Sequence, residues 1–414
     1  MASSDADADA DASGFQRLRL NAALGAGRLA GSLSRGLGRG SGVVVRGRVT
    51  LALDPGALQR LSAGRRTVIV TGTNGKSTTT RLVTAALGGK VATNATGANM
   101  APGAITALAD NSSSTAVLEI DELHVPAVMR ATRPVALIAL NLTRDQLDRT
   151  HEVSRTSRLW GTVMAERSVT VVANAADPHV VAAALEGSPI WIDPGLRWTE
   201  DATVCPRCGG LLDWSTDSRW SSECGLAMPV PDYVVTETGL RLPDGRELPL
   251  ELDLPGAVNR GNAAFAVAVA TVMGVDPEAA ARRLSEVQTV DGRYATLRLG
   301  DREAQLLLAK NPAGWAAALS MIDPDSVLAV GINARIADGT DTSWLYDVPF
   351  ERLRGRYVGA IGDRRHDLAV RLHYAGARPV VGEDLVQLAS QLPQGPLVVA
   401  ANYTAFREMR RYVR

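Results

Sequence analysis

Apolar residues gather in short, near-continuous runs through the middle of the chain: 67–71 (TVIVT), 116–120 (AVLEI), 135–140 (VALIAL) and 169–174 (VTVVAN). Such runs leave no polar face, which is the pattern of parallel strands covered on both sides. Residues 77–87 and 259–274 carry helical patterns. Strand and helix alternating in this way predict an α/β sheet. Residues 198–235 break the rhythm with their cysteines and prolines and read as an insertion. A second alternation follows residue 294, with strand candidates at 304–309, 326–331, 357–361, 379–381 and 396–400 and a helix at 364–375. Asp291-Gly292-Arg293 reads as the hinge between the two. The expected organisation is a parallel-rich central domain over 54–293 and a smaller Rossmann-like α/β domain over 294–414. No internal repeat is present.

Ahead of these domains, Leu20, Leu24, Leu29, Leu33 and Leu37 fall near helical spacing. Residues 15–53 hold seven arginines and no acid until Asp54. One reading is a leader helix packed on the next domain; the other is a basic amphipathic helix that touches anionic membrane. Glycines throughout the stretch weaken either helix. Residues 1–14 are acidic and low in complexity, which predicts a disordered tail and matches neither a secretory signal nor a transit peptide.

Composition narrows the field. The chain has 414 residues, 46% of them apolar, and zero net charge, so nothing pulls it globally toward nucleic acid. No apolar run approaches the roughly 18–20 uncharged residues of a membrane helix, which implies a cytoplasmic protein. Contact with the inner face of the membrane stays open through the basic leader. Lys76, Lys90 and Lys310 are the only lysines against 41 arginines, so each lysine invites inspection.

Thr71-Gly72-Thr73-Asn74-Gly75-Lys76-Ser77-Thr78 follows a predicted strand and opens a predicted helix. That is the context of a phosphate loop: glycines let the backbone wrap an anion, and N–H groups at the helix start favour negative charge. Lys76 would reach the β/γ-phosphates, and the hydroxyl of Ser77 or Thr78 would sit on Mg²⁺. The general motif wants glycine where this chain has Val70, so the alternative is a glycine-rich turn with a chance lysine. Strand, loop and helix all agree on the former. Glu119 ends a predicted strand, where carboxylates face the ligand crevice of an open sheet. Asp121 and Glu122 beside it read equally well as a solvated loop.

The form TGTNGKST resembles the loop of the Mur ligases and of folylpolyglutamate synthase. Residues 141–149 (NLTRDQLDR), 174–178 (NAADP) and 256–262 (GAVNRGN) are similar to other segments of that family. The resemblance implies a Mur-type ATPase domain with ATP and Mg²⁺ as cofactors. It implies nucleotide contacts from Gly72, Thr73, Asn74, Gly75, Lys76, Ser77, Thr78, Asn141, Asn259 and Arg293. Mg²⁺ would be held by Ser77 and Glu119, with Lys76 and Glu119 in the catalytic set. One departure stands out. Mur ligases hold a second Mg²⁺ on a carbamylated lysine downstream of the NLTRDQLDR-type segment, and here no lysine lies between Arg149 and Asn174.

Residues 310–314 (KNPAG), 337–344 (ADGTDTSW), 401–404 (ANYT) and 94–100 (NATGANM) resemble one branch, the Mur-ligase-like subunits of lipid II isoglutaminyl synthases. That likeness implies amidation of the α-carboxyl of D-glutamate in the lipid II stem peptide through an acyl phosphate. The ammonia would come from a GatD-type glutamine amidotransferase bound as the other half of a heterodimer. Asp341 would then orient the partner's catalytic histidine. Turn or cap roles are the alternative for Asp338, Asp341 and Asp347. A Mur or folylpolyglutamate ligase that joins an amino acid is the alternative activity.

Cys205-Pro206-Arg207-Cys208-Gly209 is a zinc-ribbon knuckle. The second knuckle, Ser221-Ser222-Glu223-Cys224-Gly225, has serine where its first cysteine should be. Two readings follow: Zn²⁺ on Cys205, Cys208 and Cys224, completed by water, Asp217 or Glu223; or a degenerate ribbon that folds without metal.

Overall fold

The computed structural model describes residues 2–38, 41–94, 98–145, 153–166, 169–199, 202–214, 219–287 and 294–413. The apolar runs become the centre of a nine-stranded sheet. Its strands are β1 (Arg66–Thr71), β2 (Ala92–Thr93), β3 (Thr115–Glu119), β4 (Ala136–Ala139), β5 (Thr170–Asn174) and β6 (Ile190–Asp193). After the two-stranded β7 (Leu212–Trp214) and β8 (Trp220–Ser222) come β9 (Tyr233–Val235), β10 (Gly239–Arg241) and β11 (Glu247–Pro249). The order is β11-β10-β9-β6-β5-β4-β1-β3-β2. All neighbours from β9 to β2 are parallel, and β10 and β11 add an antiparallel edge. β9 lies inside the segment read as an insertion, yet it pairs with β6 of the main sheet.

Alternate residues of each strand feed opposite faces. Ile69, Leu118 and Leu137 join one core; Val68, Val70, Val117 and Ile138 join the other. The helix Ala257–Val272 closes the second face with a nearly all-buried run.

The chain ends in a six-stranded sheet made of β12 (Tyr294–Leu299), β13 (Arg302–Leu308), β14 (Val327–Gly331), β15 (Tyr357–Ile361), β16 (Arg378–Val381) and β17 (Leu397–Ala401). Its order is β12-β13-β17-β14-β15-β16, parallel except for the β12–β13 hairpin. The sequence reading found the five parallel strands and missed β12. That edge strand alternates apolar and polar residues, so it lacks the continuous run used to find the others. The hinge proposed at Asp291–Arg293 lies outside the described residues.

The leader forms two helices, α1 (Ala2–Gly36) and α2 (Val43–Leu53), followed by α3 (Ala57–Ser62), α4 (Lys76–Leu87) and α5 (Ala101–Asp110). α1 includes the acidic stretch expected as a tail. The leader does pack on the next domain, and Leu20 takes part, packed on the central-domain core, while Leu29, Leu33 and Leu37 stay exposed. Ala23, Gly27, Gly31 and Ser34 form the buried stripe of α1. A Cβ on Gly27 would meet the Arg46 carbonyl at 2.7 Å, and one on Gly31 the Gly42 carbonyl at 3.1 Å. The glycines that weaken the helix are therefore what lets α2 approach it. α2 is fixed in turn by the Arg46–Asp110 ion pair on α5. No helix among the described residues is long and apolar enough to cross a membrane.

Candidate active site

Residues 72–75 turn the chain from β1 into α4. Gly72 has φ 142°, and a Cβ there would meet the Leu140 Cβ at 2.8 Å. Gly75 caps α4 at φ 85°, in the left-handed region that only glycine enters freely. Asn141, just beyond β4, fastens the loop by a two-way amide bond. Its Oδ1 accepts from the Asn74 N–H at 2.9 Å and its Nδ2 donates to the Asn74 carbonyl at 3.0 Å. The Thr73 hydroxyl accepts from the Thr143 N–H at 3.0 Å. The free N–H groups of the first turn of α4 make this corner an anion site.

Lys76 is buried and lies against carboxylates. Its Nζ donates to the Glu122 Oε2 at 3.0 Å, to the Thr73 carbonyl at 3.2 Å and to the Gly72 carbonyl. Burial works against its charge, but Glu122, Glu119 and Asp121 together outweigh that and hold the ammonium above the usual lysine value. Burial likewise opposes the Glu122 carboxylate, and Lys76 and Lys310 hold it below the usual glutamate range. Of the two residues left open by the sequence, Glu122 thus belongs to the loop's charge cluster. Asp121 caps the following turn through the Leu123 N–H at 3.2 Å.

Glu119 is 4% exposed and its Oε2 has no hydrogen-bond partner. An orphaned, buried carboxylate oxygen beside a phosphate loop is the donor a hard cation takes. Ser77 is half-buried at the start of α4, and Thr78 is buried. The residues present therefore fit Mg²⁺ with Glu119 and a loop hydroxyl as protein ligands.

The C-terminal domain completes the site. A cavity of about 500 Å³ lies between the domains, lined by Asn74, Thr78, Asn141 and Asn259 on one side and by Gly314 and Met321 on the other. Asn259 is buried and donates to the Pro255 carbonyl at 2.6 Å. Lys310, at the carboxyl end of β13, forms an ion pair with Asp145 of the central domain. Arg144 pairs with Asp347 at 3.0 Å across the same boundary. A second cavity, about 130 Å³, joins Asp145 and Lys310 to Asp341 and Trp344.

Asp338 and Asp341 sit in one loop and differ sharply. Asp338 is buried and accepts from the Thr404 N–H at 2.8 Å, from the Thr404 hydroxyl and from the Arg335 N–H. It is a staple, as the turn reading expects. Asp341 is exposed; its carboxylate accepts from the Ser343 N–H at 2.8 Å and hydroxyl at 2.9 Å, which holds it below the usual aspartate value. Ile336 and Tyr346 in the flanking chain are 89% and 81% exposed.

In the cysteine insertion the three sulfurs lie within 4.8 Å of one another. Cys205 Sγ is 3.7 Å from Cys224 Sγ, and the Ser222 Oγ is 3.4 Å from Cys208 Sγ and 3.6 Å from Cys224 Sγ. A tetrahedral zinc with bonds of ~2.3 Å to sulfur and ~2.0 Å to oxygen has edges of roughly 3.8 and 3.5 Å. These three edges match that figure. The Ser222 hydroxyl stands beside Cys208 and Cys224, where a fourth ligand would be needed; Asp217 lies outside the described residues.

Arg293, residues 146–149 and residues 95–97 of the sequence assignment also lie outside the described residues. Of the other assigned residues, Asn74, Gly75, Thr78, Asn141 and Asn259 line the first cavity together. Glu122, Lys310 and Ser222 were missed as site residues. For Lys310 the scarcity of lysine was the available signal.

Comparison with known proteins agrees. Residues 70–189 match the Mur ligase middle domain and residues 308–406 the MurT ligase C-terminal domain. The MurT subunit of lipid II isoglutaminyl synthase (glutamine-hydrolyzing) from Streptococcus pneumoniae is 33% identical, over 87% of this chain and 88% of the relative. Its Staphylococcus aureus counterpart is 27% identical over 92% and 95%. Among solved structures, a pseudomurein peptide ligase type C from Methanothermus fervidus shares the fold with a TM-score of 0.69 at 19% identity, over 84% of this chain and 78% of that one.

Proposed function

The chain belongs to the MurT subunits of the Mur ligase family, and from that premise we propose that it is the ATP-consuming half of a glutamine-driven amidating ligase in peptidoglycan synthesis. The substrate is the α-carboxyl of D-glutamate in the lipid II stem peptide, and the product is D-isoglutamine. The carboxylate oxygen attacks the γ-phosphorus of ATP, ADP leaves, and an acyl phosphate forms. Ammonia then attacks the acyl carbon, phosphate departs, and the nitrogen gives up one proton.

Lys76, kept charged despite burial, supplies a fixed cation to the transferring phosphoryl group. Asn141 and Asn74 hold the loop in the shape that receives the phosphates, and Asn259 and Arg293 serve the nucleotide. Mg²⁺, held by Glu119 and Ser77, would neutralise the developing phosphate charge. Zn²⁺ on Cys205, Cys208, Cys224 and Ser222 would be structural. The chain's three cysteines all lie in the insertion, so the glutaminase nucleophile belongs to a GatD-type partner.

The observation that carries this reading is the cavity shared by Asp341, Lys310 and Asp145. It puts an exposed, ionised carboxylate, flanked by the uncovered Ile336 and Tyr346, next to the ligase centre. Such a carboxylate keeps acceptor capacity beyond its two bonds from Ser343 and can fix the tautomer of a histidine across an interface. The absence of lysine between Arg149 and Asn174 argues against the amino-acid ligase.

The test is reconstitution with a GatD-type subunit, lipid II, glutamine and MgATP, followed by mass spectrometry. One carboxyl should become a carboxamide. Asp341→Asn should abolish the reaction with glutamine and keep it with free ammonia. An intact, ATP-binding complex that amidates from neither nitrogen source refutes the proposal.

A further inference from the structure

Helix α1 carries an apolar stripe that nothing in the fold covers. Phe15, Leu18, Leu29, Leu33 and Leu37 are 69%, 68%, 71%, 68% and 69% exposed. At 100° per residue they fall within an arc of about 100°, continued between Leu18 and Leu29 by Ala22 and Ala26. Leu37 lies one residue past α1, but its N–H still donates to the Leu33 carbonyl, so the stripe continues through it. The packing stripe of Ala23, Gly27, Gly31 and Ser34 faces a different direction, and a third stripe is basic. Arg17, Arg28 and Arg35 are all exposed and sit about 130–150° from the middle of the arc, on the polar side of the helix. Five large side chains so exposed on one helix mark a docking face.

We propose that this face of α1 lies on an anionic lipid bilayer. The charge pattern selects that occupant: residues 15–53 hold seven arginines and no acid, in a chain of zero net charge. An apolar stripe backed by a basic polar face is the form of a helix lying in the headgroup plane, with leucines toward the acyl chains and arginines drawn to the anionic surface. The stripe from Phe15 to Leu37 is about 34 Å long. α1 grips α2, and α2 grips α5 through Arg46–Asp110, so the face is rigidly tied to the ATPase domain. The four aspartates at positions 5, 7, 9 and 11 precede the basic run, so headgroup attraction begins at Arg17. The inference rests on the proposed function for its purpose only: an enzyme whose acceptor is lipid-linked gains by sitting on the surface that holds it.

The experiment uses the full chain in complex with its glutaminase subunit and sedimentation with vesicles of phosphatidylcholine alone or with 30% phosphatidylglycerol as probe. The complex should bind the anionic vesicles and not the neutral ones, and salt should weaken binding. Leu29→Ser/Leu33→Ser and Arg28→Glu/Arg35→Glu, both at exposed positions, should each lower partitioning by roughly tenfold or more. Both should slow amidation of lipid II in vesicles while keeping the wild-type rate on a water-soluble, short-chain analogue. Equal vesicle binding by wild type and both variants overturns the proposal, as does protection of the stripe from hydrogen exchange by the partner subunit alone. Vesicle binding with no amidation of either substrate would retain the surface and remove the function.

Discussion

Lys76 and Glu122 form a buried ion pair, Nζ to Oε2 3.0 Å, inside the phosphate loop. The carboxylate is a charged partner of the ammonium proposed to meet the phosphates. Glu122→Gln should therefore cost about 3 kcal/mol of unfolding free energy in urea, the low end for a broken buried pair because the Gly72 and Thr73 carbonyls still accept from Lys76. MgATP should narrow that gap, since it stabilises the folded state by binding it. An unchanged urea midpoint in the variant would sink the pairing.

The same pair sets a pH window. Glu122 is lowered from 4.5, so its stabilisation is complete above that value and fades as pH falls through its depressed folded value. Lys76 is raised from 10.5, so its share is complete below that value and fades as pH rises through the elevated one. The stability difference between wild type and Glu122→Gln should be flat from about pH 6 to 9 and shrink at the acid end. A difference that varies across neutral pH would assign it to another group.

Lys76→Met alone strands Glu122, so stability and turnover both fall. In Lys76→Met/Glu122→Gln stability should largely return, while ATP turnover stays down by about 100- to 1000-fold. Recovery of turnover in the double variant would remove Lys76 from the chemistry.

Asp338 and Asp341 should separate cleanly. Asp338→Ala loses three accepted hydrogen bonds and should cost about 2 kcal/mol, lowering activity with glutamine and with ammonia alike. Asp341→Asn, at an exposed site, should leave the melting temperature unchanged. Equal melting losses in the two would contradict their opposite burial.

Ser222→Cys should convert a three-sulfur site into a four-sulfur one. Zinc affinity, measured by chelator competition, should rise by at least about tenfold, and Co²⁺ substitution should show added thiolate charge transfer. Cys208→Ser should release the metal. Identical Co²⁺ spectra for wild type and Ser222→Ala would place Ser222 outside the shell.

How far the chain was legible depended on the range of the interaction. Runs such as AVLEI and VALIAL announce doubly covered strands because every side chain of such a strand is buried. The phosphate loop was legible for the same reason: Gly72, Gly75 and Lys76 act within one strand-to-helix corner. β12 escaped because an edge strand is covered on one face only. Of the leader leucines Leu20 packs and Leu29, Leu33 and Leu37 do not, because helical spacing says that a face exists, not which face packs.

The sequence by itself determined the two α/β units, the loop and the family, since these rest on local periodicity and contiguous motifs. Only the tertiary structure decided that Glu122 neutralises Lys76 from 46 residues away, that Lys310 meets Asp145 across 165, and that Ser222 stands against Cys208, 14 residues away. Partner choice at those distances is set by strand order, by domain apposition and by which side chains remain buried together, and no local pattern in the chain encodes it.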